Sequence, residues 1–289
     1  MRITKVQALG NDFVLADALF GGSVIENSPG LWARFLCSRH YGVGGDGLII
    51  VCPSETADVR MRIFNPDGTE AEMCGNALRS TGLYVFSSGV VTRADMTVET
   101  IGGVKQVFMH IKDGAVDTIT AQVNPPGLSP SSVPVLTEGE TCLDHPVVIE
   151  DRTFLMSAMS MGNPHCVSFV GDIDGFDLVR YGGQMSRHSI FPRQVNAEFA
   201  QIDAPGHLSM RVYERSVGET LACATGSCVA VVGGFLTGRC APVAEVRQRG
   251  GGIIGVEYDG AGGRLFMRGP SQIVFTAEMD PVLPAAFSL

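Results

Sequence analysis

Basic charge is scarce in this sequence of 289 residues. Lysine and arginine together number 21, against 30 aspartate and glutamate residues, so the formal net charge is −9. Binding to phosphate backbones or to an anionic membrane surface depends on clustered positive charge. The composition therefore argues against nucleic acid as a partner and favours a small-molecule ligand.

Long apolar runs are also lacking. No segment approaches the roughly 18 consecutive apolar residues of a membrane span. The opening segment "MRITKVQALGNDFVLAD" has no uninterrupted apolar core and no small-residue cleavage site, because Lys5, Gln7 and Asn11 interrupt it. Eight cysteines are too few for a disulfide-stapled secreted domain of this length. We therefore expect a cytoplasmic protein with reduced cysteines and no membrane contact.

The residues that mark common cofactor sites are missing too. Pyridoxal phosphate enzymes need a Schiff-base lysine, and the only lysines, Lys5, Lys105 and Lys112, lie in no such motif. The glycine-rich "GVGGDG" lacks the spacing of a phosphate loop or dinucleotide fingerprint. Cys223 and Cys228 would point about 140° apart on one helix, which disfavours a zinc site. We expect no cofactor and no metal.

What is present indicates a mixed α+β protein. Hydrophobic residues make up 45% of the chain, enough for a substantial core, and 36 glycines indicate many tight turns. Segments such as "DMTVETI" and "GIIGVEYDG" have the β-branched, turn-bounded pattern of strands. "SPGLWARFLCSRHYG" and "CGNALRSTGLYVFSSG" have helical spacing and end at glycine.

Two halves of the chain repeat each other. "RIFNPDGTEAEMCGNA" (62–77) aligns with "RVYERSVGETLACATG" (211–226) at an offset of 149 residues, and "ALGNDFVLAD" (8–17) aligns with "SMGNPHCVSF" (160–169) at an offset of 152. The period is too long for a solenoid. We expect two pseudo-symmetric domains that face each other across a cleft, one formed by 1–120 with about 271–289 and the other by 121–270.

Each repeat contains a cysteine directly before a helix. Cys74 precedes Gly75-Asn76, and Cys223 precedes Ala224-Thr225-Gly226, before an apolar helical pattern begins. Unpaired amides and partial positive charge at a helix N-terminus favour an anion, so such a thiol is expected to tend towards thiolate. Two such thiols on opposite faces of one carbon could remove and deliver a proton and thereby invert a stereocentre.

Five segments, in this order and spacing, resemble the diaminopimelate epimerase family: "GNDF", "RIFNPDGTEAEMCGNALR", "SMGNPHCV", "RVYERSVGETLAC" and "TGSC". The resemblance covers nearly the whole chain. It implies two similar domains, each with a curved, mostly antiparallel sheet around a central helix. It also implies a homodimer and a cofactor-independent isomerase that interconverts LL- and meso-diaminopimelate in lysine and peptidoglycan precursor biosynthesis.

The resemblance assigns residues to roles. The catalytic thiols are Cys74 and Cys223, assisted by His165 and Glu214. The residues expected to bind substrate are Asn11, Asn65, Gly75, Asn76, Asn163, Asn196, Glu214, Arg215, Ala224 and Thr225.

Some positions depart from the family pattern, and they leave the substrate open. Ala224 stands where a glycine is usual, which would strain a left-handed backbone. Gly47 lacks a side chain that touches substrate in some members, and Glu198 stands where small or apolar residues are common. The alternatives are a racemase of another amino acid, such as histidine, on the same fold, and, in a different class, a thiol redox protein or an amino-acid-binding protein.

Overall fold

The computed structural model describes residues 1–19, 24–215, 217–260, 263–280, 282–284 and 287. The chain folds into two compact units, and each is described separately. Unit 1 consists of Met1–Gln122 and Arg268–Leu289, and unit 2 consists of Val123–Met267. Within the described part of the chain, no helix combines the length and the apolar character that crossing a bilayer would require.

Unit 1 contains three helices, together with strands from both ends of the chain. Its helices are α1 (Val24–Asn27), α2 (Pro29–Cys37) and α3 (Gly75–Ser87). Its strands are β1 (Arg2–Ala8), β2 (Asn11–Asp17), β3 (Gly47–Cys52), β4 (Val59–Phe64), β5 (Glu70–Ala71), β6 (Asp95–Thr100), β7 (Gly103–Lys112), β8 (Ala115–Val123) and β18 (Gln272–Glu278).

Unit 2 is continuous in sequence and contains the remaining elements. Its helices are α4 (Leu178–Ser186) and α5 (Ala224–Leu236), with a short 3-10 turn at Pro130–Ser132. Its strands are β9 (Cys142–Ile149), β10 (Arg152–Ser160), β11 (Pro164–Phe169), β12 (Asn196–Ala204), β13 (His207–Glu214), β14 (Gly218–Thr220), β15 (Val243–Arg247), β16 (Ile253–Tyr258) and β17 (Leu265–Gly269), which ends in unit 1.

The two units repeat the same order of strand pairings. In unit 1, β1–β2 is antiparallel, β2–β3 parallel, β3–β4 and β4–β5 antiparallel, β4–β6 parallel and β6–β7 antiparallel. In unit 2, the pairs β10–β11, β11–β12, β12–β13, β13–β14, β13–β15 and β15–β16 follow in the same order with the same directions. The mixed α/β class, with a mostly antiparallel sheet, is as the sequence predicted.

A buried helix lies at the centre of each unit. Helix α3 packs against β1, β2, β3, β4, β6, β7 and β18, and α5 packs against β10, β11, β12, β13, β15 and β16. Strands in a sheet lie about 4.8 Å apart, so six or seven flat strands would be far wider than a helix of about 10 Å diameter. The sheet of each unit therefore curves around its helix.

Both central helices are buried on nearly all sides. All residues of α3 from Gly75 to Val85 are buried, and α5 is buried from Gly226 to Gly234. For α5, which is apolar almost all round, this is expected of an interior helix, whereas α3 also buries Asn76, Arg79, Ser80 and Thr81. Small residues let the sheet approach closely: a Cβ at Gly82 would lie 2.7 Å from the Cγ1 of Val107, and one at Gly233 would lie 2.7 Å from the Cγ1 of Val167.

Candidate active site

Cys74 is the N-cap residue of α3. Its backbone is extended, with φ −144° and ψ 121°, and the helix begins at Gly75. The turn and capping residues that follow the cysteine in sequence make this a helix start. The thiol lies against the free amides of Asn76 and Ala77, and it is only partly exposed.

A chain of polar side chains continues from this helix start. The Asn76 amide donates to the Oδ1 of Asn11 at 2.9 Å, and the Asn11 amide donates to the Oδ2 of Asp46 at 2.8 Å. The guanidinium of Arg79, which is fully buried, donates to the Oδ1 of Asn76 at 2.7 Å. Two of the predicted substrate-binding asparagines are thus joined to each other and to a buried cation.

The hairpin before Cys74 is fixed by a two-bond ion pair. Arg62 on β4 donates from Nε and from one terminal nitrogen to the two carboxylate oxygens of Glu70 on β5, at 2.7 and 2.8 Å. Asn65 lies in the exposed turn between these strands, where its side chain donates to the hydroxyl of Thr69 at 3.0 Å. Among the described contacts, Asn65 is bonded within its own turn and not to Cys74.

Cys223 occupies the equivalent position at the start of α5. Its backbone has φ −137° and ψ 107°, and its Sγ accepts a hydrogen bond from the amide of Gly226 at 3.3 Å. The hydroxyl of Thr225 lies 3.4 Å from the same sulfur. The backbone amide of Cys223 donates to the side chain of Gln248 at 3.1 Å, and the residue is 7% exposed.

A buried, hydrogen-bonded histidine and glutamate lie beside this thiol. The Nδ1 of His165 on β11 lies 2.7 Å from the Oε1 of Glu198 on β12, and both side chains are fully buried. The other ring nitrogen, Nε2, lies 2.9 Å from the Oδ1 of Asn163. One nitrogen of His165, one carboxylate oxygen of Glu198 and the Sγ of Cys223 all lie within 4.8 Å of one another.

The end of β13 holds a second group of predicted residues. The backbone amide of Arg215 donates to the Oδ1 of Asn196 at 3.0 Å, and the hydroxyl of Thr220 donates to Glu214 at 2.6 Å. In the part of the chain that the structure describes, the guanidinium of Arg215 is half-buried and has neither a hydrogen bond nor an ion pair. A cation in that situation is available to an anionic ligand.

Burial opposes ionisation of both thiols. Burial raises the pKa of the Cys74 thiol, while the amides of Ala77 and Asn76 and the charge of Arg79 oppose this rise. Burial also raises the pKa of Cys223 well above its ordinary value, and the nearby carboxylates of Glu214 and Glu198 raise it further. The expectation that a helix N-terminus would make each thiol tend towards thiolate is therefore wrong, because loss of solvation outweighs the helix amides.

The cluster of His165, Glu198 and Cys223 supplies donor types that zinc accepts. Ligands of one tetrahedral zinc ion, with metal–nitrogen and metal–oxygen bonds near 2.0 Å, lie roughly 3.3 Å apart. The Nδ1 of His165 and the Oε1 of Glu198 are only 2.7 Å apart, a hydrogen-bond distance. The geometry fits a shared proton better than a shared metal ion.

Comparison with known families gives a consistent result. The family model for diaminopimelate epimerase matches residues 3–124 and 157–274. The chain belongs to the diaminopimelate epimerase family. Among similar proteins is the diaminopimelate epimerase of Acetivibrio thermocellus, 40% identical over 280 residues, which cover 97% of this chain and 99% of that protein.

A second relative supports the family, and two solved structures support the fold. The Desulfovibrio desulfuricans diaminopimelate epimerase is 41% identical over 284 residues, covering 96% of this chain and 98% of its own. Among solved structures, a Bacillus anthracis phenazine biosynthesis protein of the PhzF family has a TM-score of 0.69 at 18% identity, with 96% and 98% of the two chains covered. A probable proline racemase from Agrobacterium radiobacter has a TM-score of 0.68 at 17% identity, with 99% and 95% covered. These distant structures establish the fold.

Two departures from the family pattern now have a structural account. Ala224 is the first residue of α5 and has helical geometry, so its methyl group causes no left-handed strain. A Cβ at Gly47 would lie 3.0 Å from the carbonyl oxygen of Phe64 and 3.3 Å from the ring of Phe13. This strand start is therefore tightly packed, and a side chain there would need its neighbours to move.

Sequence reasoning did not assign a role to three residues that contact the predicted groups. They are Arg79, Glu198 and Gln248, which hydrogen-bond Asn76, His165 and the Cys223 amide respectively. A signal existed for Arg79 and Glu198, since each is the only charged residue of its segment, 75–87 and 196–202 respectively. The contact of Gln248, 25 residues after Cys223, carries no local signal.

Proposed function

We propose that this chain interconverts LL- and meso-diaminopimelate, with Cys74 and Cys223 as the two proton-transfer groups and no cofactor. The observation that carries the proposal is the repeated cap: in a member of this family, each unit places one thiol at the N-terminus of its buried central helix. One thiol removes the Cα proton on one face and the other delivers a proton on the opposite face. The two exchange roles when the reaction runs in reverse.

The helix starts supply the groups for the α-carboxylate of the substrate. The first amides of an α-helix have no partner within the helix, and they belong here to Gly75 and Asn76 in α3 and to Ala224 and Thr225 in α5. Such amides stabilise a carboxylate and the negative charge that develops as the Cα proton leaves. This assignment gives the small residues after each cysteine a chemical reason.

The polar side chains divide into two roles in this proposal. His165 and Glu214 assist the thiols, because His165 lies beside Cys223 and the Glu214 charge acts on its Sγ. Asn11 and Glu214 bind the substrate, and Asn65, Asn163, Asn196 and Arg215 bind its distal amino-acid group. The guanidinium of Arg215 offers the two-pronged geometry that a second carboxylate accepts.

The experiment follows both products of the proposed reaction. Reduced enzyme is incubated with LL-diaminopimelate in deuterated water, and Cα deuterium and the meso isomer are measured by NMR spectroscopy and chiral chromatography. We expect both to appear together. Deuterium exchange without the meso isomer, or neither signal with fully reduced protein, would contradict the proposal.

The same reduced enzyme also tests the alternative functions. A histidine racemase would leave Arg215 without an anionic partner, so racemisation of histidine should be far slower than epimerisation of diaminopimelate. A thiol redox protein would cycle Cys74 and Cys223 through a disulfide without exchanging the Cα proton of diaminopimelate. An amino-acid-binding protein would bind diaminopimelate without exchanging its Cα proton.

The proposal also includes the cellular setting. We place the enzyme in the cytoplasm as a homodimer, as the family resemblance implies. Val274 and Phe275 on β18 are 54% and 44% exposed, which leaves apolar surface on unit 1 that a second subunit could cover. Analytical ultracentrifugation at micromolar concentration should give the mass of two chains, and a single-chain mass would remove the dimer from the proposal.

A further inference from the structure

The carboxyl group of Glu198 is buried at a position of the sheet that also accepts an apolar side chain. It lies on β12 opposite Val212 of β13. At the equivalent place in unit 1, 149 residues earlier, Ile49 on β3 lies opposite Ile63 on β4. Both Ile49 and Glu198 are buried, at 0% and 1% exposure. The same packing position therefore accepts an apolar side chain in one unit and contains a carboxyl group in the other.

His165, the hydrogen-bond partner of Glu198, also stands where unit 1 has an apolar residue. His165 is paired with Asn196 across β11 and β12, whereas Phe13 is paired with Gly47 across β2 and β3. The fold thus places an aromatic ring and an aliphatic chain where unit 2 has an imidazole and a carboxyl group. Burial of these polar groups costs desolvation that apolar residues avoid. The His165–Glu198 pair is consequently better explained by the chemistry beside Cys223 than by stability.

The carboxyl group of Glu198 has one oxygen engaged and one available. Its Oε1 lies 2.7 Å from the Nδ1 of His165, while the buried Oε2 has no hydrogen-bond partner among the described residues. A buried carboxyl oxygen without a partner is costly unless a nearby group can donate to it. The Sγ of Cys223, one carboxylate oxygen and one imidazole nitrogen lie within 4.8 Å of one another, so the carboxyl group lies beside the thiol, although no hydrogen bond joins Oε2 to the sulfur in the described structure.

Gly226 keeps the space between the carboxyl group and the thiol. A Cβ at this position would lie 2.8 Å from the Oε1 of Glu198 and 3.2 Å from the Sγ of Cys223. No side chain fits there without displacing one of the two. The first turn of α5 therefore lets the carboxyl group approach the sulfur across a residue without a side chain.

The charges that face Cys223 come from three strands. Glu198 on β12 and Glu214 at the end of β13 place negative charge near the sulfur, and His165 on β11 is bonded to Glu198. The helix itself contributes only the Gly226 amide and the Thr225 hydroxyl. In unit 1, the buried cation Arg79 acts on Cys74 and the Glu198 position is Ile49. Cys74 thus has a nearby cation together with the carboxylate of Asp46, whereas two carboxylates lie near Cys223, so the two thiols have unequal electrostatic surroundings.

We propose that Glu198 is a positioning residue of the Cys223 half of the site: its carboxylate fixes His165 through Nδ1 and keeps the proton on the Sγ of Cys223. When one thiol of the pair has ionised, Cys223 is then the proton donor and Cys74 the acceptor. The proton that leaves Cys223 goes to Cα, and the proton removed from the other face goes to Cys74. Glu198 itself neither gains nor loses a proton. This inference rests on the proposed function and deepens it.

The test is the pH dependence of alkylation at Cys223 in the enzyme without substrate. Iodoacetamide reacts with the thiolate, and peptide mass mapping separates Cys223 from Cys228. Glu198→Gln keeps the size and a hydrogen bond to His165 but removes the charge. We expect its alkylation midpoint to lie at least about one pH unit below that of the wild type, with a roughly tenfold faster reaction at a fixed pH on the rising limb.

Activity adds a second readout. We expect Glu198→Gln to lower kcat for LL-diaminopimelate by about 10- to 100-fold with KM within threefold, because the donor loses its proton rather than its substrate contacts. Glu198→Asp, which retains the charge, should restore part of kcat and an alkylation midpoint close to the wild-type value. Glu245→Gln on β15, whose side chain is 59% exposed, is the matched charge control and should change neither.

A double variant tests the role of Glu198 in a protein that is expected to keep its fold. His165→Phe with Glu198→Ile gives unit 2 the residues that unit 1 has at these positions. It should unfold at the wild-type temperature or above, lack epimerase activity, and show a lowered alkylation midpoint at Cys223. If Glu198→Gln or the folded double variant has the wild-type midpoint, the inference is overturned. If the wild type does not epimerise diaminopimelate, the proposed function fails, while the alkylation comparison still tests Glu198 because it needs no substrate.

Discussion

Cys74 and Cys223 have the same place in their units and different neighbours. Each caps the N-terminus of a buried helix, yet one lies near the buried cation Arg79 and the other near the carboxylates of Glu198 and Glu214. A two-base reaction needs one protonated and one deprotonated thiol at the start of each turnover. Unequal surroundings are a direct way to select which thiol holds the proton.

Removal of either thiol should stop inversion. Cys74→Ala or Cys223→Ala removes a positioned acid or base, and we expect the rate of meso formation from LL-diaminopimelate to fall by about 10² or more. Cys52→Ala is the matched control, since Cys52 is a buried core cysteine of β3, 7% exposed. The control should retain activity within a few fold. Near-normal turnover by either active-site alanine variant would contradict the two-thiol mechanism.

Arg215 should determine the choice of substrate. Arg215→Met removes the cation expected to bind the distal carboxylate, so kcat/KM for diaminopimelate should fall by about 10- to 100-fold, equivalent to roughly 1–3 kcal/mol. Arg193→Met, at an exposed position of unit 2, is the matched control. Steady-state kinetics and a thermal melt separate loss of binding from loss of fold. Equal kinetic effects at both positions would remove Arg215 from the site.

Local sequence identified the capping cysteines because helix starts have local signals. Turn-forming residues after each cysteine, followed by an apolar helical pattern, were enough to place Cys74 and Cys223. The environment of each thiol could not be predicted in this way. Glu198 reaches Cys223 from another strand, and its effect depends on burial that no local pattern specifies. The thiolate expectation failed for this reason.

At the scale of elements, a repeated clamp precedes each cysteine. Arg62 bonds Glu70 across β4 and β5, and Arg211 bonds Glu219 across β13 and β14 with Nε–Oε1 at 2.7 Å and a second bond at 3.0 Å. The two pairs lie at the same offset of 149 residues as the cysteines. Each clamp ties together the strands that lead into the helix start, so it positions the cysteine through the backbone.

The two clamps should contribute unequally to stability. Arg211 also donates to the carbonyl oxygens of Ile173 and Phe176, at 3.2 and 2.7 Å. Arg211→Met removes these two hydrogen bonds as well as the ion pair, and should lower the free energy of unfolding by about 2–3 kcal/mol, against about 1 kcal/mol for the more exposed Arg62→Met. Denaturant unfolding measures both. Equal losses would show that the carbonyl contacts contribute nothing.

The clamp in unit 1 also predicts a dependence on pH. Arg62 holds the pKa of Glu70 below its usual value. A lowered pKa in the folded state gives stability that is present above the unfolded value and lost as pH falls through the folded value. Between about pH 5 and pH 3, the wild type should therefore lose more stability than Arg62→Met. Parallel losses in the two proteins over this range would show that the ion pair is not a source of acid sensitivity.

For the whole molecule, the repeat between the two halves of the sequence predicted more of the architecture than the hydrophobic periodicity of single segments did. The aligned segments around each cysteine indicated a duplication, and the same order of parallel and antiparallel pairings recurs in both units. What the repeat could not indicate is where the units differ. Phe13 and Ile49 in unit 1 stand where unit 2 has His165 and Glu198. Such divergence within a shared architecture marks the residues whose role is chemical.

The pH profile of the intact enzyme should reflect both thiols. Turnover needs one proton on the pair, so kcat/KM rises with pH as the first thiol ionises and falls as the second does. Burial raises the pKa of both Cys74 and Cys223, which places these ionisations above the ordinary cysteine value of about 8.5. From pH 6 to about pH 8, kcat/KM for LL-diaminopimelate should therefore increase by close to tenfold per pH unit. Initial rates give this slope when they are measured with a thiol reductant and below the pH at which the substrate amines lose their protons. A flat profile across that range would mean that a thiolate already exists at neutral pH in the free enzyme.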